Sequence, residues 1–193
     1  MKQHNIFPEC NVDTNLIGLI IGGYSKHKST CNEVVKAVNG TDCFAIGIID
    51  ADKRPATMDK GFVEFKQSVK TDGKMKHLTM FVHNDGKRFM FTVKPAVDKF
   101  ILHAAKSEGV KVEDYGFPSD FNSFRKITKS IQAADDSKLR QLFSAIMAYP
   151  ELERFRNTLK YLMHEQYDAD PAIAQQFFDG TLTKKDLIGY LMD

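Results

Sequence analysis

The stretch Cys43-Phe44-Ala45-Ile46-Gly47-Ile48-Ile49-Asp50-Ala51-Asp52 decides the architecture: an unbroken apolar run with β-branched residues, closed by two carboxylates two places apart. Continuous rather than alternating hydrophobicity marks a strand covered on both faces, as in a parallel sheet layered by helices. Upstream, an extended apolar segment near His4 to Pro8 ends at Glu9. Asp13 then opens Thr14-Asn15-Leu16-Ile17-Gly18-Leu19-Ile20-Ile21, whose length suits a helix, and Gly22-Gly23 stops it. After a link around Tyr24 to Lys28, Ser29-Thr30 supply an N-cap with Glu33 placed to reciprocate, and Val34, Val35, Ala37 and Val38 follow at helical spacing up to Asn39-Gly40. Strands joined by helices predict a mainly parallel sheet, with functional residues beyond the carboxyl ends of its strands. Glu9 and the Asp50/Asp52 pair both stand at such ends.

Downstream, residues 53–76 form a polar, Lys-rich excursion that holds one short extended segment, Gly61-Phe62-Val63-Glu64-Phe65. His77-Leu78-Thr79-Met80-Phe81-Val82 and Arg88-Phe89-Met90-Phe91-Thr92-Val93 flank the turn Asn84-Asp85-Gly86-Lys87, which predicts a hairpin or two neighbouring strands. Pro95 suits the first residue of a helix that runs to about Ser107 and is stopped at Gly109. From Asp120 onward the periodicity is helical only, in segments near 120–132, 135–148, 150–166, 171–178 and 183–192. The expected organisation is an α/β unit over residues 1–116 and a helical extension over 117–193 packed on it.

The chain has 193 residues, 42% hydrophobic and 27% charged, enough to bury a sizeable core without disulfide or metal staples. No run approaches the roughly 18 apolar residues of a membrane span, and the N-terminus lacks the apolar core of a signal peptide, so no membrane role and a cytoplasmic location are expected. Cys10, Cys31 and Cys43 are an odd, unpaired set that argues against a disulfide framework. His77, His83, His103 and His164 lack paired ligand spacing, which argues against zinc. The formal charge of +2 conceals a strong division along the chain: residues 53–94 carry 10 basic and 4 acidic groups, whereas residues 134–193 carry 7 and 10. The basic stretch follows directly on the acidic pair.

Two carboxylates at one strand end can turn toward a common point, and hard oxygen ligands of this kind suit Mg²⁺ or Mn²⁺. Phosphatases of the haloacid dehalogenase type want Thr or Val two places after the second Asp, where Arg54 stands here. Sugar-nucleotide transferases need a longer nucleotide-binding half than the 49 residues upstream of Asp50. A third class asks for another acid at the end of the first strand, and Glu9 supplies it. Pro8-Glu9-Cys10-Asn11-Val12-Asp13 resembles the first motif of the Toprim family, a Glu at a strand end with an acid four residues on, and Ala45 to Asp52 resembles its second. The resemblance covers roughly residues 3–108. It is similar above all to small stand-alone Toprim-like proteins and to the Toprim part of overcoming-lysogenization-defect nucleases. Cys10 stands where the family has Gly, and no tyrosine matches a topoisomerase signature.

The resemblance implies a Rossmann-like Toprim sheet flanked by helices and metal-assisted phosphodiester chemistry on DNA or RNA. In that scheme Asp50 and Asp52 hold Mg²⁺ or Mn²⁺, and Glu9 serves as general acid, general base or further ligand. Asp13 caps the first helix or supports the site. Lys94, between a strand and Pro95, is a candidate for neutralising the scissile phosphate. Lys28, Lys53, Arg54 and Lys60 are candidates for phosphate contacts, with Lys26 and His27 beside them. The competing expectation is a non-catalytic module that binds nucleic acid or a protein partner, alone, as a homo-oligomer or within a larger complex.

Overall fold

The apolar run around Ile46 forms β2 (Ala45–Asp50), which lies between two parallel neighbours, β1 (Ile6–Pro8) and β5 (Arg88–Val93). The register sets Pro8 beside Ile48 and Asp50 beside Val93, so three strand ends open on one side of the sheet. The computed structural model describes residues 5–23, 25–51, 57–65 and 75–192. Beyond β5 the sheet continues with β4 (Leu78–His83) and β3 (Phe62–Glu64), in the order β1-β2-β5-β4-β3.

The expectation of a mainly parallel sheet is corrected to a mixed one. β1, β2 and β5 run parallel, but β5 with β4 and β4 with β3 are antiparallel. The cause is the turn after His83: a connection this short cannot cross over the sheet, so the two strands it joins must reverse direction. Gly86 takes the left-handed conformation there, φ +70°, and the Asp85 carboxylate accepts from the Lys87 N–H (2.9 Å) and from Arg88 Nε (2.7 Å). Residues 25–28 run beside β1 with two ladder-type bonds, from the Lys26 N–H to the Ile6 carbonyl (2.7 Å) and from the Lys28 N–H to the Pro8 carbonyl (2.9 Å).

Alternation along the strands divides the core between two faces. Phe7, Ala45, Ile49 and Met90 meet Val34, Val35 and Val38 of α2 (Cys31–Asn39) on one face. The cap of α2 forms as the sequence predicts: Thr30 Oγ1 accepts from the Glu33 N–H (3.2 Å), and Glu33 accepts from the Ser29 N–H (2.9 Å). On the other face Ile6, Ile46, Ile48, Phe89 and Phe91 pack with α1 (Asn11–Ile21), α3 (Val97–Ser107) and the C-terminal helices. These are α4 (Phe121–Thr128), α5 (Ser137–Ile146), α6 (Pro150–Glu165), α7 (Pro171–Asp179) and α8 (Lys184–Met192). Asp120, Asp136 and Asp170 cap α4, α5 and α7 through their side chains.

The helical extension shares its core with the sheet. The Phe91 ring of β5 lies 5.2 Å from Phe155 of α6 and 5.8 Å from Phe178 of α7. Beside this contact the buried Glu151 carboxylate accepts from the His77 N–H (2.9 Å) and the Tyr149 hydroxyl (3.2 Å) and meets His77 Nδ1 at 3.0 Å. Paired in this way, a buried charge is tolerated. Among the described residues no helix is long and apolar enough to cross a membrane. Because Phe91 is fully buried between sheet and extension, Phe91→Ala is expected to cost about 3–5 kcal/mol, read from the urea midpoint of unfolding.

Candidate functional site

The parallel register of β1 and β2 brings Glu9 and Asp50 together. The Glu9 N–H donates to the Ile48 carbonyl (3.0 Å), continuing the ladder by one residue, and Glu9 Oε2 accepts from the Asp50 N–H (2.9 Å). Asp50 Oδ1 in turn accepts from the N–H of Val97 (2.9 Å), the first residue of α3, while the Ala51 N–H donates to the Val93 carbonyl (2.8 Å). A carboxylate at a helix start is favoured both by the open N–H groups and by the helix dipole. Two acid side chains therefore tie the ends of β1 and β2 to each other and to the start of α3, and the Ala51 backbone ties in the end of β5.

Asp13, in the first turn of α1, is only 2% exposed. Its Oδ2 accepts from the Cys10 N–H (3.3 Å), as the capping expectation has it, and its Oδ1 is buried without a hydrogen-bond partner. Cys10 has φ −126°, extended backbone open to any side chain, so the departure from Gly at this place imposes no strain. Burial first, and the Asp13 carboxylate second, push the Cys10 thiol well up, which suits a packed side chain rather than a nucleophile.

The electrostatics bind the acids into one cluster. Burial raises Asp50 to about 7; the Val97 N–H opposes this, Glu9 and Asp98 reinforce it, and Lys129 lowers it. Burial likewise raises Asp13 well above the ordinary carboxylate range, with Asp50 and Glu9 adding to it. Asp98, in the first turn of α3 and 1% exposed, is a member of the cluster that sequence reasoning missed. Burial raises it, while the donated Thr128 hydroxyl, Lys129 and Arg125 hold it down. In sequence Asp98 has the form of an ordinary acid in a helix first turn, and only the docking of α4 reveals the Thr128 and Lys129 side of the site. Among the described residues no three His, Cys, Asp or Glu side chains stand as a group that could hold a metal ion.

The other expected residues are placed unevenly. Asp52, Lys53 and Arg54 lie outside the described residues. Lys28 is at the same end of the sheet as Glu9, its backbone beside Pro8 and its Nζ 5.7 Å from the centre of the Phe7 ring. Lys94 follows β5 at that end, exposed, with its N–H donated to the His77 carbonyl (2.6 Å); among the described residues its side chain makes no ion pair. Lys60 is corrected. Because β3 pairs Phe62 with His83, the turn that carries Lys60 lies at the amino end of β2 and β5, away from Glu9 and Asp50.

No family model, curated protein or solved structure matches the chain. The chemistry of the site consequently rests on its own residues.

A carboxyl held at about 7 in the folded chain, against about 4 when unfolded, keeps its proton over an interval in which the unfolded chain has lost it. Stability then falls as pH rises from about 4 to 7. Asp50→Asn retains an oxygen for the Val97 N–H and removes this penalty. The variant is expected to exceed the metal-free parent by about 1–3 kcal/mol near pH 8 and to match it near pH 4, as read from thermal melts across pH.

Proposed function

We propose that this chain is a Mg²⁺- or Mn²⁺-dependent nuclease, or a related phosphodiester phosphotransfer enzyme, that acts on nucleic acid in the manner of the Toprim family it resembles. The observation that carries the reading is the bond from the Asp50 N–H to Glu9 Oε2, which sets the acids of the two motifs side by side at adjacent parallel strand ends. The donors are of the type a hard divalent cation prefers, carboxylate oxygens only, including the buried, unpartnered Oδ1 of Asp13; among the described residues no three stand as a group that could hold one, so the reading requires Asp52. Glu9, Asp50 and the neighbouring Asp52 would hold it, with Asp13 in support. Held there, such a cation would supply polarisation of a phosphoryl oxygen and would offset charge on the attacking or leaving oxygen.

The chain's own groups supply the rest. The Asp50 N–H fixes the Glu9 carboxylate, and a carboxylate so placed can take a proton from the attacking group or give one to the leaving oxygen. The Val97 N–H fixes one oxygen of Asp50. Lys28 and Lys94 stand at the same end of the sheet, available to phosphate oxygens, and Lys53 and Arg54 join them in the proposal through their place in sequence after Asp52. Binding of DNA or RNA through such contacts weakens with salt. The reading also takes the chain to act in the cytoplasm.

A second reading has its own observation. Asp50 Oδ1 is already engaged by the Val97 N–H, so the acid also serves as a structural tie, as it would in a non-catalytic Toprim-like module that binds nucleic acid or a protein partner.

One experiment separates the two. Purified protein is incubated with single- and double-stranded DNA and RNA, with Mg²⁺, Mn²⁺ or chelator, beside the Asp50→Ala/Asp52→Ala variant. The enzyme reading expects cleavage that needs metal and falls by at least about a hundredfold in the variant; cleavage indifferent to both substitutions overturns it. Salt-sensitive binding without cleavage selects the module. Because Asp50 holds its proton up to about 7, Mn²⁺ affinity measured by calorimetry is expected to rise through neutral pH with proton release, and a flat profile counts against Asp50 as a ligand.

A further inference from the structure

Phe121, Arg125 and Lys129 recur every fourth residue along α4 and its C-cap and therefore share one face of that helix. Arg125 and Lys129 are exposed, and among the described residues neither lies within ion-pair distance of a carboxylate. Lys99, exposed on α3 next to Asp98, places its Nζ 4.9 Å from the centre of the Phe121 ring, and the Arg125 guanidinium lies 6.0 Å from the same centre. An aromatic ring thus lies near two cations on a ridge made by two helices.

The position of this ridge is fixed by the site. Thr128 donates its hydroxyl to Asp98 Oδ1, and Asp98 follows Val97, whose N–H holds Asp50. The Lys129 carbonyl accepts from Asn11 Nδ2 (3.5 Å), and Asn11 is two residues from Glu9. Lys129 therefore lies where the acid-bearing strand ends meet the helical extension, near enough to Asp50 and Asp98 to lower both.

We infer that the ridge of Lys99, Phe121, Arg125 and Lys129 is a nucleic-acid contact, in which the three cations take successive backbone phosphates of a strand leading into the acid cluster and Phe121 lies against an unpaired base. The inference rests on the nuclease reading of the acids and adds to it a binding element from the helical extension. Cations spread along a ridge of two helices suit a polyanion better than a compact anion, because they distribute their charge instead of converging it. Aromatic rings among cations are the usual platform for single strands, since every base offers a face to stack on. The cations also solve a problem the acids create, the repulsion between a carboxylate cluster and an approaching phosphodiester. The preferred ligand is a single strand.

The test is fluorescence anisotropy with a labelled oligonucleotide, single-stranded and duplex, as DNA and as RNA, in chelator so that no cleavage intervenes. Arg125→Ala/Lys129→Ala is compared with the parent and with Lys106→Ala/Lys111→Ala, which removes equal charge from exposed positions beyond the first turns of α3. The ridge variant is expected to bind single strands at least about tenfold more weakly, with the slope of log K against log salt reduced by about 1.4 in magnitude for two lost contacts at about 0.7 each. The control is expected to bind as the parent does, and Phe121→Ala to weaken single-strand binding more than duplex binding. Equal binding by the ridge variant and the parent overturns the ridge and leaves the nuclease reading standing. A parent that binds no nucleic acid overturns both.

Discussion

The hydrogen bond from the Asp50 N–H to the Glu9 carboxylate is the constraint around which the sheet end is organised. It continues the parallel ladder of β1 and β2 past the last paired residues, replacing a backbone acceptor with a side chain. Its consequence is electrostatic. Two unit charges about 4 Å apart repel by about 4 kcal/mol at the effective dielectric of a partly buried site, and Glu9 and Asp50 have Asp13 and Asp98 as further neighbours. Such a cluster is not stable with every member ionised and uncompensated. Either protons stay on some of the acids or positive charge is brought to them, and the rise of Asp50 to about 7 records the first of these.

The helical extension bears directly on this balance. Asn15 Nδ2 on α1 donates to the Ala133 and Asp136 carbonyls (2.7 and 3.0 Å), and Thr128 donates to Asp98, so the extension is fastened to the acid-bearing half at buried points as well as through Phe91, Phe155 and Phe178. Fastening α4 there carries Arg125 and Lys129 toward the acids. Their charge lowers Asp98, and that of Lys129 lowers Asp50 also. A segment that reads in sequence as a cap over the core is thus part of the electrostatic environment of the strand ends.

Much of this was legible in the sequence, for identifiable reasons. The run from Cys43 to Asp52, the turn at Asn84 to Lys87 and the glycines after Ile21 and Glu108 are local signals, and local signals found their elements. Glu9 and Asp50 could be singled out because strand ends are readable from where apolar runs stop. What was not legible depends on pairing between distant segments. Lys60 reads as neighbour to Asp52, yet the antiparallel placement of β3 sends its turn to the other end of the sheet. Asp98 has no motif; its meaning comes from Thr128, thirty residues away. Lys129 closes an ordinary amphipathic helix and gains significance only from where that helix docks.

Each described motif acid has one oxygen committed to a backbone N–H: Glu9 to Asp50, Asp50 to Val97, Asp13 to Cys10. A carboxylate held at one oxygen has lost most of its rotamer freedom. For Asp13 the second oxygen is buried and unpartnered, a state that costs about 1–3 kcal/mol in an isolated polar group and rises further if the group is charged. Folding energy held in such an arrangement is recovered only when positive charge or a proton reaches the site. The same bonds fix the sheet end, with Asp50 tying the end of β2 to the start of α3.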